Sequence, residues 1–287
     1  MQTTTSGIED QPAVVEPIDR SHAPAHYRSS AEWISHFQQN VRHQRAIPWE
    51  TDTTRLTERE RRAIARSIAI FQLGESSDGH FFFEAGRQYV KQSADIHYTD
   101  ALRLFIAEEN RHSAYLGRFM QLQEIPFEQK QWSDSIFRMI RKVSGLEMCI
   151  SVLITAELVA KVYYRALSEA TDSPTLKAIC DQILQDESWH LAYQSGTLGK
   201  IRRGRSLYRL AVTETLQKLF MLGTLVVVWM DHARVFRAGG YTFMGFARET
   251  WTELRRSLQV IRECVIFDWR KQRILQRVQG KPCSIGS

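Results

Sequence analysis

The chain has 287 residues, 43% of them hydrophobic and 24% charged, with a formal net charge of +6; it can bury a sizeable core in one large or two modest domains and has an ordinary soluble composition. Its cysteines, Cys149, Cys180, Cys264 and Cys283, form no C-x-x-C pair, which excludes a rubredoxin-type site or a zinc ribbon and suggests free thiols in a reducing compartment. The first thirty residues contain no apolar core of a secretory signal, and the longest apolar stretch, Phe220 to Met230, is too short to span a bilayer, so a cytoplasmic protein without membrane contact is expected, that stretch forming the middle of a buried helix.

Residues 1 to 28, polar and carrying Pro12, Pro17 and Pro24, read as a disordered tail, and residues 29 to 287 as a single helical domain. Ser29-Ser30 caps a short helix in which Trp33, Ile34, Phe37 and Val41 recur at helical spacing; it stops before Pro48. Thr57-Glu58-Arg59-Glu60 is a capping box that opens a helix expected to run to about Lys91 and to carry Glu75 after the apolar segment 68–73. Gly74 weakens that helix just before the carboxylate, and an irregular turn there would aim it. His80 lies too far round the helix to join Glu75.

The next helix is expected from about Thr99 to Gln123, with Glu109-Asn110-Arg111-His112 at its middle and Leu102, Phe105 and Leu116 on its inner face. A third opens near Ser133-Asp134, continues to about Glu169 and carries Glu157. Lys161 and Tyr164, one and two turns beyond, read as an ordinary lysine with a buried stem and a core tyrosine, with a place along a substrate channel as the alternative. Ser173-Pro174 supplies the N-cap and first residue of a fourth helix to about Ser195, which contains Glu187-Ser188-Trp189-His190. Two more follow, about Ser206 to Arg237 and, after Gly239-Gly240, Phe243 to Phe267; they would wall off a pocket or form a dimer contact. The class is all-α.

One pattern therefore occurs twice: a lone glutamate, then Glu-x-x-His some thirty residues later, enough for a helix to end, turn and return. Residues i and i+3 share a helix face, so Glu109 projects beside His112 and Glu187 beside His190. Glu75 and Glu157 sit in strongly apolar surroundings, where an uncompensated carboxylate costs several kcal/mol and calls for a cation. Four carboxylates and two imidazoles directed into a helical bundle are the arrangement of di-iron and di-manganese carboxylate sites. Mainly oxygen donors suit iron or manganese better than softer metals. Asp186 and Glu108 each precede a cluster glutamate by one position, and are expected to accept the second ring N–H of His112 and His190 respectively.

Glu108-Glu109-Asn110-Arg111-His112 and Asp186-Glu187-Ser188-Trp189-His190 resemble the paired motifs of ferritin-like di-iron proteins, the first being especially similar to that of the soluble acyl-carrier-protein desaturases. The resemblance covers about residues 60 to 196. It implies a ferritin-like four-helix bundle with additional N- and C-terminal helices. It also implies Glu75, Glu109 and His112 around one iron, Glu157, Glu187 and His190 around the other, and one or two bridging glutamates. The second motif has Ser188-Trp189 where the desaturases carry two basic residues. Hydroxylation, N-oxygenation and desaturation therefore all remain open.

The function expected is that of an oxygen-dependent di-iron oxygenase or oxidase, with a mixed manganese-iron pair as a variant, acting on a small-molecule or carrier-bound organic substrate. The alternatives are a ferritin-like protein that handles iron or removes peroxide and an RNA-modifying hydroxylase. No flavin or iron-sulfur motif is encoded, so an external electron donor is implied, and a homodimer is the expected assembly. From Lys200 onward 17 Lys and Arg stand against 6 Asp and Glu, a basic balance that would suit an acidic partner or form a solvated face.

Overall fold

The computed structural model of the protein describes residues 25–76, 79–128 and 145–278, with side chains in the last span up to residue 266. Every regular element among them is helical. The capping signals place most of the starts. Ser29 and Glu32 form a capping box at α1 (Ser30–Arg42), and Thr57 and Glu60 form another at α2 (Glu58–Glu75). After α3 (His80–Ser93), α4 (Tyr98–Leu122) and α5 (Leu146–Glu169) come two helices with serine caps. Ser173 accepts from the Leu176 amide ahead of Pro174 in α6 (Pro174–Ile201), and Ser206 accepts from the Arg209 amide in α7 (Leu207–Ala238). The last helix is α8 (Phe243–Val278).

The expected continuous helix from Thr57 to Lys91 is not formed. α2 ends at Glu75 itself, and α3 starts only after Gly79, whose φ of +66° lies in the left-handed region. A side chain at Gly79 would also displace the tip of Ile106, but it is the left-handed φ that requires a glycine there. The break thus follows Glu75 instead of falling at Gly74, which is helical with open space around it. Glu75 becomes the last residue of its helix.

Other boundaries shift less. α6 and α8 run beyond the expected Ser195 and Phe267. The expected start of the third helix at Ser133-Asp134 lies outside the described residues, as do Cys283 and residues 1–24 of the expected tail. Residues Ala25–Tyr27 form a 3-10 turn packed on α6. A side chain at Gly196 would overlap the His26 backbone there. Lys200 Nζ donates to the Arg28 carbonyl at 2.9 Å.

α5 packs most extensively on α6; α2 packs on α4, α4 on α6, and α1 lies against α4. α7 and α8 cover α5 from outside, α7 also touching α2 and α8 touching α6. Ile64 and Ile68 of α2, Leu102 and Phe105 of α4, Ile154 and Leu158 of α5, and Leu176 and Ile183 of α6 are buried in one continuous core. Each such side chain contributes about 1.5–3 kcal/mol on burial.

Two expectations about apolar residues fail. Val41 points outward at 52% exposure, and the Phe220 to Met230 segment is buried on one face only, with Leu222, Val226 and Met230 exposed. α7 as a whole, longer than that segment, is sufficiently long and apolar to cross a membrane by length and composition, with 39% of its most apolar window buried.

Candidate metal centre

Four helices carry the six side chains singled out by the repeated motif to one place. Glu75 comes from the end of α2, Glu109 and His112 from α4, Glu157 from α5, and Glu187 and His190 from α6. Two sets of donors result: Glu75, Glu109, His112 and Glu187, and Glu109, Glu157, Glu187 and His190, each with its atoms within 4.8 Å of one another. Glu109 and Glu187 belong to both sets. All are buried except Glu109, whose side chain is 15% exposed and marks the most open side of the cluster.

The facing atoms lack ordinary partners. Glu109 Oε1, Glu157 Oε2, Glu187 Oε2, His112 Nδ1 and His190 Nδ1 are buried with no satisfied hydrogen bond, although His190 Nδ1 approaches Glu109 Oε1 to 2.8 Å. Leaving so many polar atoms unsatisfied in the interior would cost of order 1–3 kcal/mol each, and more for charged groups. A group shared by all of them removes that cost. Hard cations bound by carboxylate oxygen and imidazole nitrogen have the required chemistry, so these residues fit a metal site.

Behind the imidazoles stand the two outer carboxylates. His112 Nε2 is 3.0 Å from Asp186 Oδ2, and His190 Nε2 is 3.0 Å from Glu108 Oε2; both contacts cross between α4 and α6. An imidazole that donates from Nε2 keeps its Nδ1 lone pair for the cluster. Asn40 of α1 donates to both outer acids, to Glu108 Oε1 at 2.8 Å and Asp186 Oδ1 at 2.7 Å. Gln182 donates to Asp186 at 3.0 Å, and Arg111 to Glu108 at 2.9 Å.

Charge follows from this geometry. Burial by itself would raise both outer acids, but hydrogen bonding from His112, Asn40 and Gln182 holds Asp186 below the ordinary carboxylate range, and His190 with Asn40 does the same for Glu108. In the inner cluster, burial and then the neighbouring Glu109 and Glu187 push Glu75 well up, and burial raises Glu187. Glu109 goes the other way: burial opposes ionisation, but His190 outweighs it. Burial would lower His190, yet Glu109 and the other acids raise it well above its usual value. Without cations, the cluster offsets its negative charge by retaining protons.

Several contributors were not singled out from the sequence. Gln194 donates to Glu157 Oε1 at 2.7 Å, and Asn40, Gln182 and Arg111 support the outer acids. Gln194 falls one turn after His190 on the face of the motif itself, and Asn40 follows the apolar stripe of Trp33 and Phe37, and those placements were the available signals. Tyr164, expected to be an ordinary core residue, donates to Glu75 Oε1 at 2.6 Å. Lys161 instead pairs with Glu253 at 3.1 Å, away from the cluster. Leu116 is fully buried, and His80 lies exposed at the start of α3.

Compared with known proteins, the chain matches no family model, no curated protein and no solved structure.

Proposed function

We propose that the protein is a ferritin-like di-iron oxidase or oxygenase that uses dioxygen to oxidise an organic substrate, drawing electrons from an external donor. In this reading α2, α4, α5 and α6 are the four-helix bundle of the ferritin-like fold, and α1, α7 and α8 are additions to it. The carrying observation is the pair of donor sets that share Glu109 and Glu187, with five buried donor atoms lacking partners. Glu75 and His112 would help to hold one ion and Glu157 and His190 the other, with Glu109 and Glu187 available to both.

Bound in this site, a pair of redox-active ions would supply the electrons that reduce dioxygen. The protein's part is positional. Asp186 and Glu108 fix the tautomer and direction of the two imidazoles, and Asn40 holds both acids at once. Tyr164 steadies Glu75 at the C-terminal end of α2. Phe105 sets its ring edge-on to His190 at 4.7 Å, and Leu116 and Leu158 are fully buried in the surrounding core, which supports exclusion of water. Glu109, the most exposed of the six, puts the approach for substrate and dioxygen on its side.

The test is iron loading of the full chain without oxygen, metal analysis, and then oxygen addition. About two irons per chain are expected. Glu109→Ala and Glu187→Ala should each abolish both, whereas Glu75→Ala should spare the site around Glu157 and His190. Failure to retain iron, or a large hollow assembly that accumulates iron mineral, would refute the oxidase reading.

A further inference from the structure

The geometry points to α7 as a face that docks onto an anionic lipid surface, a role independent of the metal centre. At about 100° per residue, Tyr208, Val212, Leu216, Leu219, Leu222, Gly223, Val226 and Met230 fall on one side of the helix. Their outward placement is direct: Tyr208 is 78% exposed, Leu216 58%, Leu219 59%, Val226 51% and Met230 72%. The opposite side is the one buried, and it mixes the polar Glu214, Gln217, Thr224 and His232 with the apolar Met221, Leu225, Val228, Val235 and Phe236. The helix is thus apolar on both sides, whereas a soluble surface helix turns a polar side outward. Contiguous exposed apolar side chains of this kind mark interaction sites on many proteins.

Charge decides the occupant. Arg209 stands at one end of this face and Arg234 and Arg237 at the other, and between them the outward stripe carries no charged residue; Arg205, just before the helix, is already bonded to Glu147. Glu214 is buried and bonded to Arg262, and Lys218 leans toward Glu214 at 3.7 Å, off the face. A second copy docked face to face would bring arginine against arginine in either direction, parallel or antiparallel, with no acid on the outward stripe itself. Lipid phosphates complement both arginine ends, while the side chains between them enter the acyl boundary. Val212 to Met230 rises about 27 Å, along which the helix lies flat. It does not span, because its inner face holds Glu214, Gln217 and His232 against α2, α5 and α8.

The experiment is flotation of the full chain with vesicles of phosphatidylcholine alone and of phosphatidylcholine mixed with phosphatidylglycerol. Binding to the anionic vesicles should exceed binding to the neutral ones by about tenfold or more. It should fall to the neutral level in Arg209→Glu/Arg234→Glu and vanish in Leu219→Glu/Val226→Glu. These side chains are exposed, so circular dichroism and melting of the variants should match wild type. As an independent measurement on an otherwise unchanged face, a nitroxide on Leu219→Cys should lose access to an aqueous relaxing agent only when anionic vesicles are present. No flotation, equal binding to both vesicle types, or a stable dimer that Leu219→Glu/Val226→Glu dissociates in the absence of lipid would overturn the proposal.

Discussion

Replacing Asn40 by alanine tests whether the outer carboxylates set the metal affinity. One side-chain amide spans Glu108 and Asp186 at 2.8 and 2.7 Å, and through them governs both imidazoles. Hydrogen bonds to ionised groups contribute about 1.5–3 kcal/mol each. Neither acid is stripped bare, since Gln182 still donates to Asp186 at 3.0 Å and Arg111 to Glu108 at 2.9 Å. The loss should therefore appear as looser orientation of His112 and His190, weakening metal binding by about 10–100-fold, the usual range for such supporting residues. Competition of the loaded protein with a graded series of chelators measures it. Near-ultraviolet circular dichroism reports whether α1 remains docked, because Trp33 of α1 packs edge-on to Trp189 of α6 with ring centroids 6.5 Å apart. An affinity within about twofold of wild type, with that signal unchanged, would refute the reasoning.

Three further outcomes are expected. Tyr164→Phe keeps the ring but takes the donor from Glu75 Oε1, and denaturant titration of the metal-free protein should show a loss of about 1–3 kcal/mol. Gly239→Ala drives a methyl into the Ala166 carbonyl, and the melting temperature should fall by the equivalent of about 1–3 kcal/mol or more, whereas alanine at Gly223, which has open space, should be tolerated. His232, whose Nδ1 is 2.7 Å from Ser67 Oγ, is pushed by burial from 6.5 down to about 4. Above the upper value both folded and unfolded chains hold it neutral; as pH falls through the interval the unfolded chain binds a proton that the folded one refuses, and about 3 kcal/mol of stability is lost. His232→Asn should remove that part of the acid sensitivity, read as the wild-type minus variant difference in unfolding free energy at neutral pH and at about pH 5.

The all-helical class, the capped starts of α1, α2 and α6, and the pairing of Glu109 with His112 and of Glu187 with His190 were legible because each rests on local spacing. A capping box lies within four residues, and Glu-x-x-His places two donors on one face whatever surrounds the helix. The break after Glu75 was not legible, because Gly74 and Gly79 look alike in sequence and only packing beside Ile106 puts the left-handed turn at Gly79. Asn40 was missed because its value depends on Glu108 and Asp186, 68 and 146 positions away.

By itself, then, the order of residues determined which side chains share a helix face, since that follows from the fixed rise and turn of the helix within a few positions. Only the tertiary structure decided which faces meet: that Glu109 and Glu187 belong to both donor sets, that one amide from α1 steadies both histidines, and that α7 turns its leucines outward. Those outcomes depend on packing between segments far apart in the chain, where burial and hydrogen bonding across helices select one arrangement among many that share the same local periodicity.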